Sequence, residues 1–219
     1  MDSSRTRRPH LTPEPLAAPV FTALLVRHAQ TDAVGRYLAG RRAGVSLNAE
    51  GRSQLAALRA RLADVPLDAI YSSPLERALE TAAAIARGSG LAIYERDDLQ
   101  EVDFGEWTGR TFTELAASPA WQAYNRARAS AEIPGGESPR ALTARICGAL
   151  EQIRRLHPGG TVAIVSHAEP IRALVLACRG LSLDVFHATE IEPASITTLR
   201  IPAHGAVDVS VDGGARLQS

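Results

Sequence analysis

The chain has 219 residues, 45% of them apolar, and its 24 basic and 24 acidic side chains cancel to a formal net charge of zero. That suits one globular domain with room for an insertion, long enough to bury a substantial core. Balanced charge gives no electrostatic reason to expect nucleic acid or an anionic membrane as partner.

Residues 1–19 are polar and proline-rich, with no apolar core segment. They read as a loose N-terminal extension, neither signal peptide nor membrane span, which places the domain at 20–219. Ala23-Leu24-Leu25-Val26 is an apolar run typical of a strand buried on both faces, and it stops at Arg27-His28. A polar loop follows, and Asn48 caps an expected helix to about Leu62 with Leu55, Leu58 and Leu62 as its apolar stripe. Asp68–Ser72 is a second, short strand. Ser73-Pro74-Leu75-Glu76 has the form of a capping box with proline at the first helical position, opening a helix that carries Arg77 and stops at Gly88.

Leu91–Tyr94 is a third strand, and Asp97–Thr111 is irregular. Phe112, Leu115, Trp121 and Tyr124 show a broken helical pattern, expected to form a small cap of one or two helices within an insertion at about 108–137. Ser138 then caps a long helix to Leu156. Thr161–Val165 is another all-apolar strand, ending in the polar turn Ser166-His167-Ala168-Glu169, with Pro170 starting the next helix. A short helix at Leu183–Ala188 and strands at Ile196–Ile201 and Val207–Val211 complete the chain. Strands alternating with helices imply a three-layer α/β/α sandwich around a mostly parallel sheet.

In such a sheet, ligands bind outside the carboxyl ends of the strands. Three strand ends deliver Arg27 and His28, Arg77, and His167 to that edge, a cationic pocket suited to a phosphoryl dianion. Every basic residue is arginine, which grips phosphate bidentately. Taken singly, each residue also has a structural explanation: a histidine is more often structural, and Arg77 can pair with Glu80 one turn along its helix. No carboxylate or cysteine set converges with the histidines, so no metal is expected. Cys147 and Cys178 have neither CxxC nor metal-ligand spacing and read as reduced residues of a cytoplasmic protein.

Leu-Val-Arg27-His28-Ala29-Gln-Thr31 resembles the signature of the histidine phosphatase (phosphoglycerate mutase-like) superfamily. The resemblance continues through Ser46–Gly51, Ser72–Ala78, Leu99–Gly109, Gly135–Ser138 and Val165–Ala168. It implies a phosphohistidine intermediate on His28, with Arg27, Arg77 and protonated His167 as the phosphate pocket. It makes Glu101 the proton donor and gives Thr31, Ala39, Gly40 and Ala168 substrate or phosphate contacts. No metal or organic cofactor is implied. Asp103, Phe104 and Trp107 are the neighbours expected to keep a proton on Glu101.

Two positions depart from the pattern. Ala29 replaces the usual glycine, harmless if its φ is not positive. Val34 replaces a frequent asparagine and removes one polar phosphate contact. The resulting expectation is a phosphatase for small-molecule phosphate monoesters. The alternatives are a phosphoglycerate mutase-type transferase, whose family members carry a much longer insertion, and a non-catalytic phosphate-binding module. A partly apolar pocket from the cap aromatics is expected, while Arg41 and Arg42 either favour a second acidic group or face solvent. Monomer and homodimer both remain open.

Overall fold

A computed structural model describes residues 19–211. The expected N-terminal extension, apart from Pro19, and residues 212–219 lie outside this range. The strands are β1 (Val20–Arg27), β2 (Ala69–Ser72), β3 (Ile93–Glu95), β4 (Thr161–Ser166), β5 (Ile196–Pro202) and β6 (Asp208–Val211). They form one sheet in the order β3-β2-β4-β1-β5-β6. β3, β2, β4 and β1 run parallel, while β5 and β6 add an antiparallel edge. The helices are α1 (Ala49–Leu62), α2 (Glu76–Ser89), α3 (Phe112–Ala116), α4 (Pro119–Arg126), α5 (Pro139–Leu156) and α6 (Ala168–Cys178).

Strand alternation explains why β1 and β4 are apolar throughout. Ala23 and Leu25 of β1, with Val162 and Ile164 of β4, join a core shared with α5 and α6. Leu24 and Val26, with Ala163 and Val165, join a second core against α1 and α2. Successive side chains point to opposite faces, so a sheet covered by helices on both sides needs apolar residues at every position. This is the α/β/α arrangement expected from the sequence.

Strand ends shift by one or two residues, β3 spanning Ile93–Glu95 instead of Leu91–Tyr94, and three helix boundaries differ from expectation. α2 begins at Glu76, with Leu75 at its N-cap and no side-chain cap; Ser73 Oγ accepts from the Leu75 N–H at 3.3 Å and also meets His167. It continues through Ser89 and ends at left-handed Gly90 rather than at Gly88. α6 begins at Ala168 with His167 as N-cap, so Pro170 lies within its first turn instead of starting it. By contrast, Asn48 and Ser138 cap α1 and α5 as read, accepting from the N–H groups of Gly51 and Ala141.

Between β3 and α5, short 3₁₀ turns at Asp97–Leu99, Gly105–Trp107 and Arg128–Ser130 flank α3 and α4. Trp107 packs edge-on against Trp121 and Tyr124 with ring centroids 5.3 Å apart in each case. The turn around Gly105 presses backbone-to-backbone on the Pro134–Gly136 loop. A Cβ on Gly136 would lie 2.4 Å from the Asp103 carbonyl oxygen, so only glycine permits this approach.

Candidate active site

The parallel strand ends converge at one edge. His28, directly after β1, is fixed by its N–H donating to the Ser166 carbonyl at the end of β4, at 3.0 Å. The Ser73 N–H, after β2, donates to Val165 at 2.9 Å. The Ser166 hydroxyl donates to the Leu99 carbonyl at 2.7 Å, tying the segment that carries Glu101 to the same edge.

Arg27, His28, Arg77 and Glu101 line a cleft of about 200 Å³ above this edge. Thr31, Ala39, Gly40 and Ala168 also line it, so the expected contact residues are brought together there. His167 is fully buried beneath them, its ring edge-on to that of His28 with centroids 5.1 Å apart. Among the described residues no cluster of histidine, cysteine and carboxylate side chains could hold a metal ion. No helix among them is long and apolar enough to cross a membrane.

The protonation of His28 follows from its neighbours. Nδ1 lies 2.8 Å from the Ala29 carbonyl, which can only accept, so Nδ1 carries the proton. Arg77 Nε–H points at Nε2 at 3.3 Å, which therefore bears a lone pair. Burial first, then Arg77 and Arg27, hold the ring well below the usual imidazole range, so it is neutral. Ala29 does not adopt a positive φ; its methyl packs with Leu47 and Ala194 and its N–H donates to Thr81 Oγ1. The substitution is accommodated, and the carbonyl that orients His28 is kept.

His167, expected to carry a proton when it holds phosphate, is surrounded by groups that oppose that charge. Burial, then Arg77, His28, Arg27 and Arg145, push it well below the ordinary range. Its Nε2 is 2.8 Å from Ser73 Oγ, the hydroxyl that does not cap α2. Three buried polar atoms next to His28 lack any protein partner, Arg27 Nε, Arg77 Nη1 and His167 Nδ1, and Arg128 Nε on the cleft wall is a fourth. Arg77 is otherwise committed, donating through Nη2 to the Gly40 carbonyl at 2.7 Å. It does not pair with Glu80, whose Oε1 accepts from the Leu47 N–H at 3.0 Å.

Glu101 has a carboxyl pKa raised to about 7, chiefly by burial and then by the Glu169 carboxylate. The Val102 N–H, Arg77 and Arg27 oppose the rise. Asp103 is not the cause, since its carboxylate accepts from the Gly105 N–H at 2.9 Å and turns into its own loop. The Glu101 carbonyl accepts from Arg41 Nε at 2.9 Å, and Glu137 bridges Arg41 to Arg145. Arg145 also donates to the carbonyls of Asp98 and Gln100. Arg41 is thus a clamp on the Glu101 segment, neither a substrate ligand nor a solvated charge.

Of the expected aromatics, Phe112 and Trp121 reach the cleft, while Trp107 and Tyr124 form buried packing. Val34 also lines it and offers no polar atom. Two charged residues of the cleft lie outside the expected set: Glu169 and Arg128, paired at 2.7 Å. Glu169 adjoins the second histidine motif, a visible polar position that sequence alone gives no task. Arg128 has no local signal at all.

Comparison with known proteins agrees with this geometry. The chain is 33% identical over 182 residues to phosphoserine phosphatase 1 of Hydrogenobacter thermophilus, covering 81% of this chain and 85% of the relative. It is 31% identical over 202 residues to the 2,3-bisphosphoglycerate-dependent phosphoglycerate mutase of Rhizobium etli, covering 87% and 93%. Among solved structures, Bacillus stearothermophilus YhfR superposes with a TM-score of 0.81 at 31% identity, over 88% of this chain and 96% of that one. The profile of the histidine phosphatase superfamily, branch 1, matches residues 23–211, and the chain belongs to that superfamily.

Proposed function

We propose that the protein hydrolyses small-molecule phosphate monoesters through a phosphohistidine on His28. The observation that carries this reading is the neutral His28 Nε2 lone pair set beside three buried polar atoms without partners. Unsatisfied buried groups are costly, and a cluster of them around a nucleophile suits a ligand that supplies the missing acceptors. A phosphoryl group does so.

In the first half-reaction Nε2 attacks phosphorus in line as the ester P–O bond breaks. Arg27 and Arg77 hold the equatorial oxygens and stabilise their charge. The dianion itself favours a proton on His167, which adds a third cation to the pocket. Glu101, with a pKa of about 7, is part protonated at neutral pH and gives its proton to the leaving alkoxide. In the second half-reaction the Glu101 carboxylate takes a proton from water, which attacks phosphorus and breaks the P–N bond. Phosphate leaves, Nε2 regains its lone pair, and Glu101 is protonated again.

The substrate class rests on the cleft mouth and on relatives. Phe112 and Trp121 give an apolar wall, with α3 and α4 acting as a small cap, and the Hydrogenobacter relative makes phosphoserine the first ester to test. Free Cys147 and Cys178 suit a reducing, cytoplasmic setting. A mutase is the second reading, favoured by the Rhizobium relative. Cap length does not separate the two, because that mutase aligns over most of both chains.

Two variants test the roles. His28→Ala is expected to abolish both phosphate release from p-nitrophenyl phosphate and acid-labile labelling of the enzyme; retained turnover refutes the nucleophile. Glu101→Gln is expected to slow hydrolysis of phosphoserine about 10²–10⁴-fold and that of p-nitrophenyl phosphate much less, since nitrophenolate leaves unaided. Equal losses on the two esters refute a proton donor. Phosphate release without interconversion of phosphoglycerates separates phosphatase from mutase.

A further inference from the structure

Glu169 lines the same cleft as Glu101, yet the chemistry above gives it no task. It sits in the first turn of α6, with both oxygens engaged: Oε2 accepts from Arg128 Nη1 at 2.7 Å and Oε1 from Arg172 Nη1. Held on both oxygens by arginines, the carboxylate is fixed in place, and its charge is what reaches the neighbouring acid. Arg128 comes from the 3₁₀ turn between α4 and α5, so the pair joins that segment to the sheet-bound half of the cleft. The Arg128 guanidinium is wedged over the Phe186 ring at 3.3 Å and the Tyr124 ring at 4.6 Å, and Ala129 N–H is held by Asp184. Cap segment and charge are therefore one unit.

The groups facing the Glu101 carboxyl are few. Arg27 comes from the end of β1, Arg77 from α2 and Glu169 from α6, with the Val102 N–H on its own loop. Arg41 and Arg145 bind its backbone carbonyl rather than its carboxyl. Tyr124 of α4 lies near both carboxylates, and burial keeps its phenol protonated. Two arginines that serve phosphate also pull the proton off any acid beside them. The phosphoryl dianion offsets those arginines only while it is bound, and the fixed negative charge beside Glu101 is that of Glu169.

We propose that Glu169 is a positioning residue for the catalytic proton: its locked charge offsets the two pocket arginines and keeps Glu101 protonated until a leaving group takes the proton, and Arg128 sets how much of that charge Glu101 feels. The functional consequence rests on Glu101 being the donor proposed above.

The test is a carboxyl ¹³C titration of the full chain labelled at glutamate, with the Glu101 signal assigned by its loss in Glu101→Gln. Glu169→Gln keeps the acceptor for the arginines but removes the charge; it is expected to move the Glu101 midpoint down by about 1 pH unit. Arg128→Gln, which unmasks Glu169, is expected to move it up. For Glu169→Gln at pH 7 the protonated fraction then falls from about one-half to about one-tenth, so single-turnover transfer from phosphoserine to His28 slows about fivefold. Its alkaline limb moves with the titration. Loss of packing alone lowers the rate without moving either midpoint. A midpoint that stays in place or rises in Glu169→Gln overturns the proposal. If that variant does not fold, Arg128→Gln decides, an upward move supporting the proposal and none overturning it. Should the midpoints move while Glu101→Gln still hydrolyses phosphoserine at full rate, the donor role fails and the charge coupling stands.

Discussion

Gly51 and Gly148 are both helical glycines, and the structure predicts opposite outcomes for the same substitution. Gly148 lies exposed in α5 with nothing within 4 Å of an added Cβ. Gly148→Ala is therefore expected to stabilise by about 0.5–1 kcal/mol, the ordinary helical gain. At Gly51, in the first turn of α1, a Cβ would lie 2.1 Å from the Gln30 carbonyl oxygen. Ordinary van der Waals separations begin near 3.5 Å, so the helix must retreat by about 1 Å from the turn that carries His28. Two hydrogen bonds to Gln30 resist that retreat, and the N-cap bond of Gly51 holds the helix start together. The Asn48 N–H donates to Gln30 at 3.1 Å, Gly51 N–H donates to Asn48 Oδ1 at 2.8 Å, and Gln30 N–H donates to Gln54 at 3.0 Å. Each is worth about 0.5–1.5 kcal/mol. Set against the helical gain, Gly51→Ala is expected to cost about 1–3 kcal/mol net. Urea unfolding of the variants measures both changes, and kcat on p-nitrophenyl phosphate should fall only for Gly51→Ala. A Gly51→Ala protein as stable as wild type would refute the account of how α1 supports the nucleophile turn.

Two other consequences are accessible to the same assays. Arg145→Met removes donors to the Asp98, Gln100 and Glu101 carbonyls and leaves Glu137 with Arg41 alone. It is expected to lose about 2–4 kcal/mol, read by urea unfolding, and to slow phosphoserine hydrolysis more than nitrophenyl ester hydrolysis. Equal slowing on both would detach the clamp from the acid. Glu101 also marks a pH-dependent cost to folding. Its folded pKa of about 7 exceeds an unfolded value near 4.5, so the folded state binds the extra proton between them and stability drops as pH rises through that window. Below pH 4.5 the carboxyl is neutral in both states and the cost vanishes. Glu101→Gln is thus expected to be more stable than wild type at pH 8, by about 3 kcal/mol, with the gap closing toward pH 4.5. A gap independent of pH would refute the raised pKa.

The order of elements, the two-sided burial of β1 and β4, and the convergence of Arg27, His28, Arg77 and His167 were legible in the sequence. Apolar runs that stop at polar residues mark strand ends, and parallel strands place all such ends on one edge. Glu101 was identified through its motif; neither periodicity nor composition singles it out among the carboxylates at 97–106. The Glu169–Arg128 pair was not legible, because its members are 41 residues apart and neither sits in a patterned run. The strength of the opposition to charge on His167 is not legible for a related reason. The count of cations around it was visible in the sequence, but not how completely the fold excludes the water that would support another charge.

At the sheet edge, side chains take partners far along the chain in preference to the ones close by. Ser73 was assigned to its own helix as a cap, but its hydroxyl meets His167, 94 positions away. Arg77 had Glu80 one turn along, yet it reaches Gly40 and His28. Asp103 seemed the neighbour that would protonate Glu101, and Glu169 is that neighbour. Arg41 looked solvated and is bound to Glu137, 96 residues on. A local pair on an exposed helix is worth about 0.2–0.5 kcal/mol, whereas leaving a buried polar group without a partner costs about 1–3 kcal/mol. Where strand ends meet, burial makes the second quantity decide, and side chains take whatever partner the sheet brings rather than the one the chain offers. Local rules therefore hold at Asn48 and Ser138, whose caps lie away from the pocket, and fail at residues that build it. A polar side chain whose local partner goes unused, as Arg77 leaves Glu80, is accordingly a marker of the site itself.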